Sequence, residues 1–182
     1  MNSVKFTREK GFTIVELLIV IVVIGILAMI VVVAYNGVQT SANNASRLAE
    51  VKSWQKLFEA YKAANGRLPT LASGTYCLGK GFPIGYNGER RCRDFNSSGT
   101  TSYRESDGSA LAAELASVGT MPSSTKVSVN GTVGPYFTYA AGYGGTITGL
   151  FNGASAADCP SGTAYNWAGS GGRLMCNISV PE

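Results

Sequence analysis

The chain opens with an unbroken apolar run that is long enough to cross a membrane. Residues 17–34 carry no charged or strongly polar side chain, and the run extends upstream of them apart from Thr13 and Glu16. As a helix, 18 such residues measure about 27 Å, close to the thickness of a bilayer core. The pattern predicts a helix whose partners are lipid or other apolar helices.

Beyond residue 34 the pattern becomes amphipathic instead of ending. Apolar residues recur at intervals of three and four, at Val38, Ala42, Ala45, Leu48, Val51, Trp54, Phe58 and Tyr61. This spacing forms one stripe of a helix and favours core packing of its aromatic residues over a ligand-binding box. Gly66 with Pro69 behind it is a strong stop signal. We therefore expect one helix from about Phe12 to Ala64, with a bend allowed near Asn36.

From residue 66 onward, turn residues separate short runs that are typical of β-strands. This part holds 20 of the 23 glycines, which indicates many loops. A short helix is predicted from Ser109 to Val118, with Asp107 or Ser109 as its cap. The predicted antiparallel strands are residues 126–129, 136–143, 146–151 and 173–178.

Together these patterns predict an α+β fold shaped like a lollipop. The apolar half of the long helix protrudes, and the amphipathic half packs on a small antiparallel sheet. The predicted segments are a polar stretch at 1–11, an apolar helix of membrane-spanning length at 12–35, its amphipathic continuation at 36–65, and a loop-rich β head at 66–182 with one short helix near 109–118. A chain of 182 residues has room for one such head.

Composition narrows the function classes. The chain has no histidine, which removes the commonest general base and metal ligand and weighs against an enzyme, a metal site and a cofactor. Of the formal net charge of +4, two units come from Lys5, Arg8 and Lys10 after Glu9 is subtracted. The remainder is not strongly basic, so nucleic-acid binding is possible but not supported by bulk charge.

The basic residues before the apolar run set its expected orientation. No comparable cluster follows the run until Arg47, so the N-terminus stays in the cytoplasm and the rest of the chain is exported. The exported cysteines then reach an oxidising compartment. A cleavable secretory signal is the alternative, but its apolar region normally spans only about 7–15 residues and ends in a small-x-small site. The end of this run matches such a site poorly.

Glu16 stands at the edge of the apolar run. An ionised carboxylate in apolar surroundings is costly unless it is paired or lies near an interface. Glu16 therefore either lies at the level of the lipid headgroups or meets a cation. Cleavage between Gly11 and Phe12 would create that cation, because the new α-amino group would stand at the tip of the helix.

These residues resemble the class III signal of type IV pilins and pseudopilins. A basic leader ends in Lys10 and Gly11, an aromatic residue follows at Phe12, and Glu16 directly precedes a long apolar run. The resemblance covers about residues 10–69. It implies that residues 1–11 are a leader, which a prepilin peptidase removes by cutting after Gly11, and that residues 12–35 form a transmembrane helix that becomes the filament core. It also implies that Phe12 is N-methylated and that Glu16 neutralises the N-terminal amine of an adjacent subunit during assembly.

One position departs from the pattern of that family. A proline is usual late in the apolar segment, where this chain has Val33, whereas the expected earlier glycine is present as Gly25. The resemblance makes Gly25 the point of helix flexibility. Because proline removes a helical hydrogen bond and is absent here, unwinding of the helix between these two positions is put in doubt.

The four cysteines predict disulfides. They show no CxxC spacing and have no histidine partners, which disfavours a zinc site. Four cysteines allow three connectivities. Pairing of sequence neighbours, Cys77–Cys92 and Cys159–Cys176, closes the shortest loops. The second pair also resembles the disulfide that bounds the C-terminal variable region of many pilins.

Two other motifs have structural interpretations. The segment from Gly74 to Gly81 resembles a phosphate-binding loop but ends in glycine where serine or threonine must hold Mg²⁺. The charged segment 89–94, with Tyr86 and Phe95 nearby, could contact DNA or another anionic surface. A solvated loop that partly neutralises itself is the favoured interpretation.

The resemblance implies a structural subunit of an extracellular type IV pilus-like filament. The precursor would lie in the cytoplasmic membrane, be processed after Gly11 by prepilin peptidase, and join a helical homo-oligomer through its N-terminal helix with the pilus assembly machinery as partner. One alternative is a minor pilin or pseudopilin of a type II secretion or DNA-uptake machine. Another class of protein is also consistent with the sequence, a signal-anchored exported binding domain that never polymerises.

Overall fold

The structure, a computed structural model, describes residues 11–85, 88–93, 103–123 and 133–182, without the side chains of Val33, Ala34, Asp107 and Ser170. The chain divides into two compact units, Met1–Thr40 and Ser41–Glu182. Residues 1–10 of the predicted leader and the strand predicted at 126–129 lie outside the described residues. The predicted α+β class is confirmed, with a long N-terminal helix followed by a small antiparallel sheet.

Helix α1 spans Ile14–Asn65 and is continuous through both units. The helix has no break near Asn36, where the sequence allowed a bend. At its C-terminal end, Gly66 adopts a φ of +69°, and its backbone N–H donates to the carbonyl of Lys62 at 2.8 Å. A left-handed glycine satisfies the last carbonyls of a helix at no steric cost. The glycine stop signal thus placed the end of the helix to within one residue.

In the part of the Ser41–Glu182 unit that the structure describes there are seven short strands and a second helix, and each strand pairing found there is antiparallel. A five-stranded sheet has the order β1-β4-β5-β7-β6, and β2 pairs with β3 separately. Helix α2 spans Ser109–Leu115. The strands are β1 Gly74–Cys77, β2 Arg91–Arg93, β3 Tyr103–Arg104, β4 Tyr136–Ala140, β5 Gly144–Asn152, β6 Ala164–Gly169 and β7 Arg173–Val180.

Three of the strands and α2 were predicted from sequence. The predicted runs at 136–143, 146–151 and 173–178 correspond to β4, β5 and β7, and the predicted helix at 109–118 corresponds to α2. The predicted cap of α2 is wrong at Ser109, because Gly108 occupies the N-cap position without a side-chain hydrogen bond. A Cβ at Gly108 would lie 2.3 Å from the carbonyl oxygen of Cys77, so close backbone approach selects glycine there. Strands β1, β2, β3 and β6 were not predicted.

The core lies between residues 48–61 of α1 and one face of the five-stranded sheet. Trp54 and Phe58 are fully buried, which confirms the predicted core stripe from Leu48 onward. The stripe was wrong in its first part, because Val38, Ala42 and Ala45 are exposed. The Phe58 ring lies 4.3 Å from that of Phe137, measured between ring centroids. At Gly149 a Cβ would lie 2.6 Å from Val51 Cγ2. Glycine at this position therefore lets the helix approach β5 closely.

Polar contacts tie the same helix to the end of β5. The guanidinium of Arg47 donates to the carbonyl of Leu150 at 2.7 Å. Asn44 donates through its amide nitrogen to the carbonyl of Asn152 and accepts from the Asn152 N–H, both at 2.9 Å. These paired bonds fix the helix against β5 in one register, because a shift along either element would break them all.

Candidate functional site

Thr13 and Glu16 form a reciprocal pair of hydrogen bonds at the start of α1. The Glu16 N–H donates to Thr13 Oγ1 at 3.2 Å. In return, Glu16 Oε2 accepts from the Thr13 backbone N–H at 2.9 Å and from the Thr13 hydroxyl at 2.7 Å. Thr13 directly precedes the first helical residue, Ile14, so this arrangement is a capping box. It satisfies amide donors that the first turn of a helix otherwise leaves unpaired.

The capping box was missed in the sequence analysis. Its signature, Thr-x-x-Glu just before an apolar run, is present in the sequence. Because a carboxylate next to apolar residues is costly, the sequence analysis predicted a partner for Glu16 in another subunit instead. The structure shows that Glu16 already has partners in its own chain. Both the hydrogen bonds and the positive end of the helix dipole favour a carboxylate at this position.

The two residues before the capping box are open to solvent. Phe12 is 81% exposed, and a Cβ built on Gly11 would meet nothing within 4 Å. Packing among the described residues therefore does not require glycine at position 11. If glycine is required at position 11, the requirement comes from another molecule that binds this segment, such as a processing enzyme.

The first unit presents apolar side chains around the whole circumference of its helix. The described large apolar residues from Ile14 to Val32 range from 48% exposed at Val23 to 85% at Ile14. Helix α1 is long and apolar enough to cross a membrane, by length and composition. An apolar surface of this size is unfavourable in water and marks a surface that lipid or other apolar helices cover.

Gly25 and position 33 lie within uninterrupted helix. Nothing lies within 4 Å of a Cβ built on Gly25, so this glycine is not required for close packing among the described residues. Its role as a point of flexibility stays a prediction.

Two arginines of the charged segment, Arg91 and Arg93, contact other residues of the Ser41–Glu182 unit. Arg91 is 3% exposed and donates to Glu89 at 2.7 Å, and Arg104 reaches the same carboxylate at 3.2 Å. Hydrogen bonding from Arg91 holds the pKa of Glu89 below its usual value. Arg93 lies over the rings of Tyr103 and Tyr136, 5.4 and 5.5 Å from their centroids. These contacts support a structural role for the segment; the proposed stacking residues at 86 and 95 lie outside the described residues.

The segment that resembles a phosphate-binding loop is organised differently. Its first four residues form β1. The N–H groups of Gly81 and Phe82 donate to Glu105 Oε2 at 2.8 and 3.0 Å. Because a carboxylate of the same chain occupies these amides, they are not available to a phosphate in this conformation. The geometry agrees with the structural interpretation of this segment.

The four cysteines form two disulfides, and both link sequence neighbours. Cys77–Cys92 joins β1 to β2, and Cys159–Cys176 joins β7 to the loop that follows β5. In that loop, Asp158 accepts from the N–H groups of Ala154 and Ser155, each at 2.9 Å, and from the Ser155 hydroxyl at 3.1 Å. These bonds hold the pKa of the Asp158 carboxyl below its ordinary value.

Comparison with known proteins supports the motif at the N-terminus. Residues 6–32 match the prokaryotic N-terminal methylation motif. The chain is 33% identical to type II secretion system core protein G of Dickeya chrysanthemi over 73 residues, 40% of this chain and 48% of the relative. It is 34% identical to the protein of the same description from Aeromonas hydrophila over 71 residues, 39% of this chain and 50% of the relative.

A similar match covers part of a third relative. The chain is 30% identical to type II secretion system core protein G of Vibrio cholerae over 74 residues, 41% of this chain and 51% of the relative. The chain thus spans about half the length of the curated relatives it matches. No solved structure matches it significantly. The chain carries the prokaryotic N-terminal methylation motif, and its predicted resemblance to the type IV pilins and pseudopilins is confirmed.

Proposed function

We propose that this chain is a pseudopilin, a filament subunit of a machine of the type II secretion kind. The methylation motif at residues 6–32 supports a pilin-like subunit. The relatives named as secretion system core proteins favour this alternative over the pilus subunit that the sequence analysis put first. The observation that carries the proposal is the capping box beside an exposed apolar helix, because it holds a carboxylate where a new N-terminus would form.

Processing would convert the capping box into a charge-pairing site. Cutting after Gly11 would leave Phe12 with an α-amino group one residue before Thr13, and methylation would keep the charge of that group. Glu16 Oε2 already points toward this end of the helix, where it accepts from the Thr13 amide. The amine of a neighbouring subunit could therefore approach a carboxylate that is already oriented, which lowers the cost of ordering the pair.

The rest of α1 would provide the binding energy of assembly. Before assembly, lipid would cover the apolar side chains of residues 14–32. In the filament, sister helices would replace the lipid, with the gain coming from van der Waals packing and from the paired charges. The precursor would lie in the cytoplasmic membrane, and the assembled filament on its outer side, with prepilin peptidase and an assembly machine as partners. The proposal gives the chain no catalytic step.

The first experiment measures the mass of the N-terminal peptide of protein purified from membranes that contain a prepilin peptidase. We expect a peptide that begins with N-methylated Phe12. Gly11→Val should leave the leader in place, because the peptidase reads this position, whereas Gly25→Ala is a matched control that should be processed normally. An unprocessed wild-type N-terminus would overturn the proposal in favour of a signal-anchored binding domain.

The second experiment separates processing from assembly. Glu16→Gln should be processed normally but should lower the yield of sheared filaments at least about tenfold, because a desolvated charge pair contributes a few kcal/mol to association. Filaments of normal yield from this variant would show that Glu16 does not pair with the amine. Loss of secretion of substrate proteins in a deletion strain would distinguish the secretion role from a pilus role, in which surface filaments would be lost instead.

A further inference from the structure

The five-stranded sheet has two edge strands, β1 and β6, and the chain itself covers the first of them. Strand β1 contacts β3 and the 3₁₀ turn Glu105–Gly108, and a Cβ built on Gly108 would lie 2.3 Å from the carbonyl oxygen of Cys77. At the other edge, β6 pairs with β7, and no other described residue pairs with it. In the part of the chain that the structure describes, β6 is therefore the open edge of this sheet.

The backbone of β6 presents hydrogen-bonding groups along this open edge. Only alternate residues of an antiparallel strand bond to a given neighbour, so about half of the N–H and C=O groups of β6 point away from β7. A register shift between Tyr165 and Trp167 adds one residue, Asn166, that has no partner on β7. Alternating donors and acceptors of this kind match the backbone of another extended strand. The occupant that this edge fits is therefore a polypeptide strand.

The side chains of β6 do not oppose such pairing. The strand, Ala164–Gly169, contains no charged residue and no proline, whereas native sheets commonly place lysine or proline on open edges to prevent pairing. Tyr165 and Trp167 are 48% and 42% exposed. Both residue types are enriched in protein interfaces, and aromatic pairs across neighbouring strands stabilise sheets. The composition of β6 is therefore typical of a strand that pairs with another chain.

A second copy of the chain offers β6 itself as the matching strand. Its β1 edge is covered, and its two-stranded sheet consists of strands of only three and two residues, which carry Arg91, Arg93 and Arg104. Strand β6, with six residues, is the longest open edge among the described residues. Pairing of one surface with the same surface of another copy gives a twofold dimer, the commonest symmetry of soluble oligomers.

The cations near β6 allow two copies to approach. Arg173 is aligned with Gly169. In an antiparallel pair centred on Asn166, the two Gly169 residues lie on opposite sides of the centre, about 20 Å apart at about 3.3 Å per residue. This distance is about twice the Debye length at physiological salt. Lys52 approaches the loop before β6 from the side of α1, whereas Arg173 faces away from α1 because the adjacent Leu174 lies in the core. These cations therefore do not oppose each other across the paired strands.

We propose that β6 pairs antiparallel with β6 of a second copy of this chain, so that two five-stranded sheets join at their open edges. A twofold contact closes on itself, so it joins two copies and does not extend a filament. The register shift bends the strand and keeps its straight edge short, so the dimer should be reversible. The proposal does not depend on processing after Gly11 or on filament assembly.

The first test is a charge exchange at the centre of the contact. Asn166→Lys would place two lysines directly opposite each other, so it should weaken dimerisation of the full detergent-solubilised chain about fivefold, measured by sedimentation. Asn166→Glu should have the same effect, and a mixture of the two variants should recover the dimer. Ser179→Lys is the matched control, because Ser179 is exposed on the inner strand β7, and it should dimerise like the wild type. Association through the apolar half of α1 would be the same in all of these chains.

The second test is a crosslink between the two copies. Directly opposite residues of an antiparallel pair have Cα atoms about 4.5–5.5 Å apart, within reach of a disulfide. Mild oxidation should therefore join two chains that carry Asn166→Cys, whereas chains that carry Ser155→Cys, in an exposed loop, should stay single.

Three results would overturn the proposal. The first is failure of the Asn166→Cys chain to crosslink beyond the Ser155→Cys control. The second is a mixture of the two charged variants that associates no better than either variant alone. The third is slow hydrogen exchange at all amides of β6 in chain diluted to the monomer, because another part of the same chain would then cover this edge.

Discussion

The two halves of α1 share one backbone helix but differ in what surrounds them. In the first half, every described large apolar residue between Ile14 and Val32 is at least 48% exposed. In the second half, Trp54 and Phe58 are at most 1% exposed beneath the sheet. Burying one large apolar side chain contributes about 1.5–3 kcal/mol. The second half therefore obtains its stabilisation within its own chain, and the first half must obtain it from lipid or from other chains.

One continuous helix can therefore have two roles, one in each of its halves. Both halves are helical, and the distinction between their roles lies in the pattern of side chains. An apolar circumference has no preferred side, so many neighbours can pack around it. An apolar stripe lies on one side of a helix, and in the second half of α1 that side packs against the sheet. A filament subunit of the proposed kind needs both, one half to exchange neighbours and one half to keep its head folded.

The largest effect should come from a pair of leucine truncations, one in each half. Leu57 is 8% exposed and Leu27 is 56% exposed. Leu57→Ala should destabilise the Ser41–Glu182 unit by about 2–5 kcal/mol, because it leaves a cavity under the sheet. Leu27→Ala should leave the unfolding midpoint of that unit unchanged. Chemical denaturation of the detergent-solubilised chain, followed by near-UV circular dichroism, measures both, and equal destabilisation by the two variants would contradict the comparison.

A smaller effect is expected where α1 meets β5. Gly149→Ala would place a Cβ 2.6 Å from Val51 Cγ2 and 2.9 Å from a ring carbon of Phe151. Overpacking of this kind costs about 1–3 kcal/mol. Gly142→Ala serves as a second measurement, because nothing lies within 4 Å of its Cβ although its φ is +83°, so only backbone strain should act there. Gly149→Ala with wild-type stability would show that the helix can move away from β5 freely.

The long helix was predictable because its signals are local and strong. The apolar run, the stripe and the stop at Gly66 lie in consecutive residues, and the end was placed to within one residue. Strands β1 and β6 contain threonine, tyrosine and tryptophan residues that favour strands. They were not predicted because their residues show no regular alternation of apolar and polar side chains. Their strand conformation is decided by pairing with β4 and β7, which are distant in sequence.

Of the candidate site, the motif residues Gly11, Phe12 and Glu16 were identified from sequence, whereas Thr13 and the geometry around it were not. The offset between Gly11 and Glu16 indicated the resemblance, and the comparisons support the motif. The hydrogen bonds from Thr13 to Glu16 depend on where the helix begins, and helix starts are among the least certain features of a sequence. The register shift in β6 depends on its pairing with β7, which no local pattern records.

Thr13 offers a test of the first half alone. Thr13→Val would remove the hydroxyl that caps the Glu16 N–H, whereas Thr13→Ser would keep it. Loss of such a cap costs about 0.5–2 kcal/mol. Hydrogen exchange of the first-turn amides in detergent should speed up in the valine variant and stay near wild type in the serine variant. Equal exchange in both variants would mean that Glu16, not Thr13, holds the first turn.

The smallest effect should be a pH dependence confined to the Ser41–Glu182 unit. Hydrogen bonds from Ala154 and Ser155 hold the pKa of Asp158 below its ordinary value of 3.8. A depressed pKa means that the folded state favours the carboxylate, so this stabilisation is present above pH 3.8 and is lost as the pH falls through the folded-state pKa. Asp158→Asn should therefore lower the unfolding midpoint at neutral pH, and the difference from wild type should shrink as the pH falls below about 4. A difference that stays constant over this range would show that Asp158 acts through shape and not through its charge.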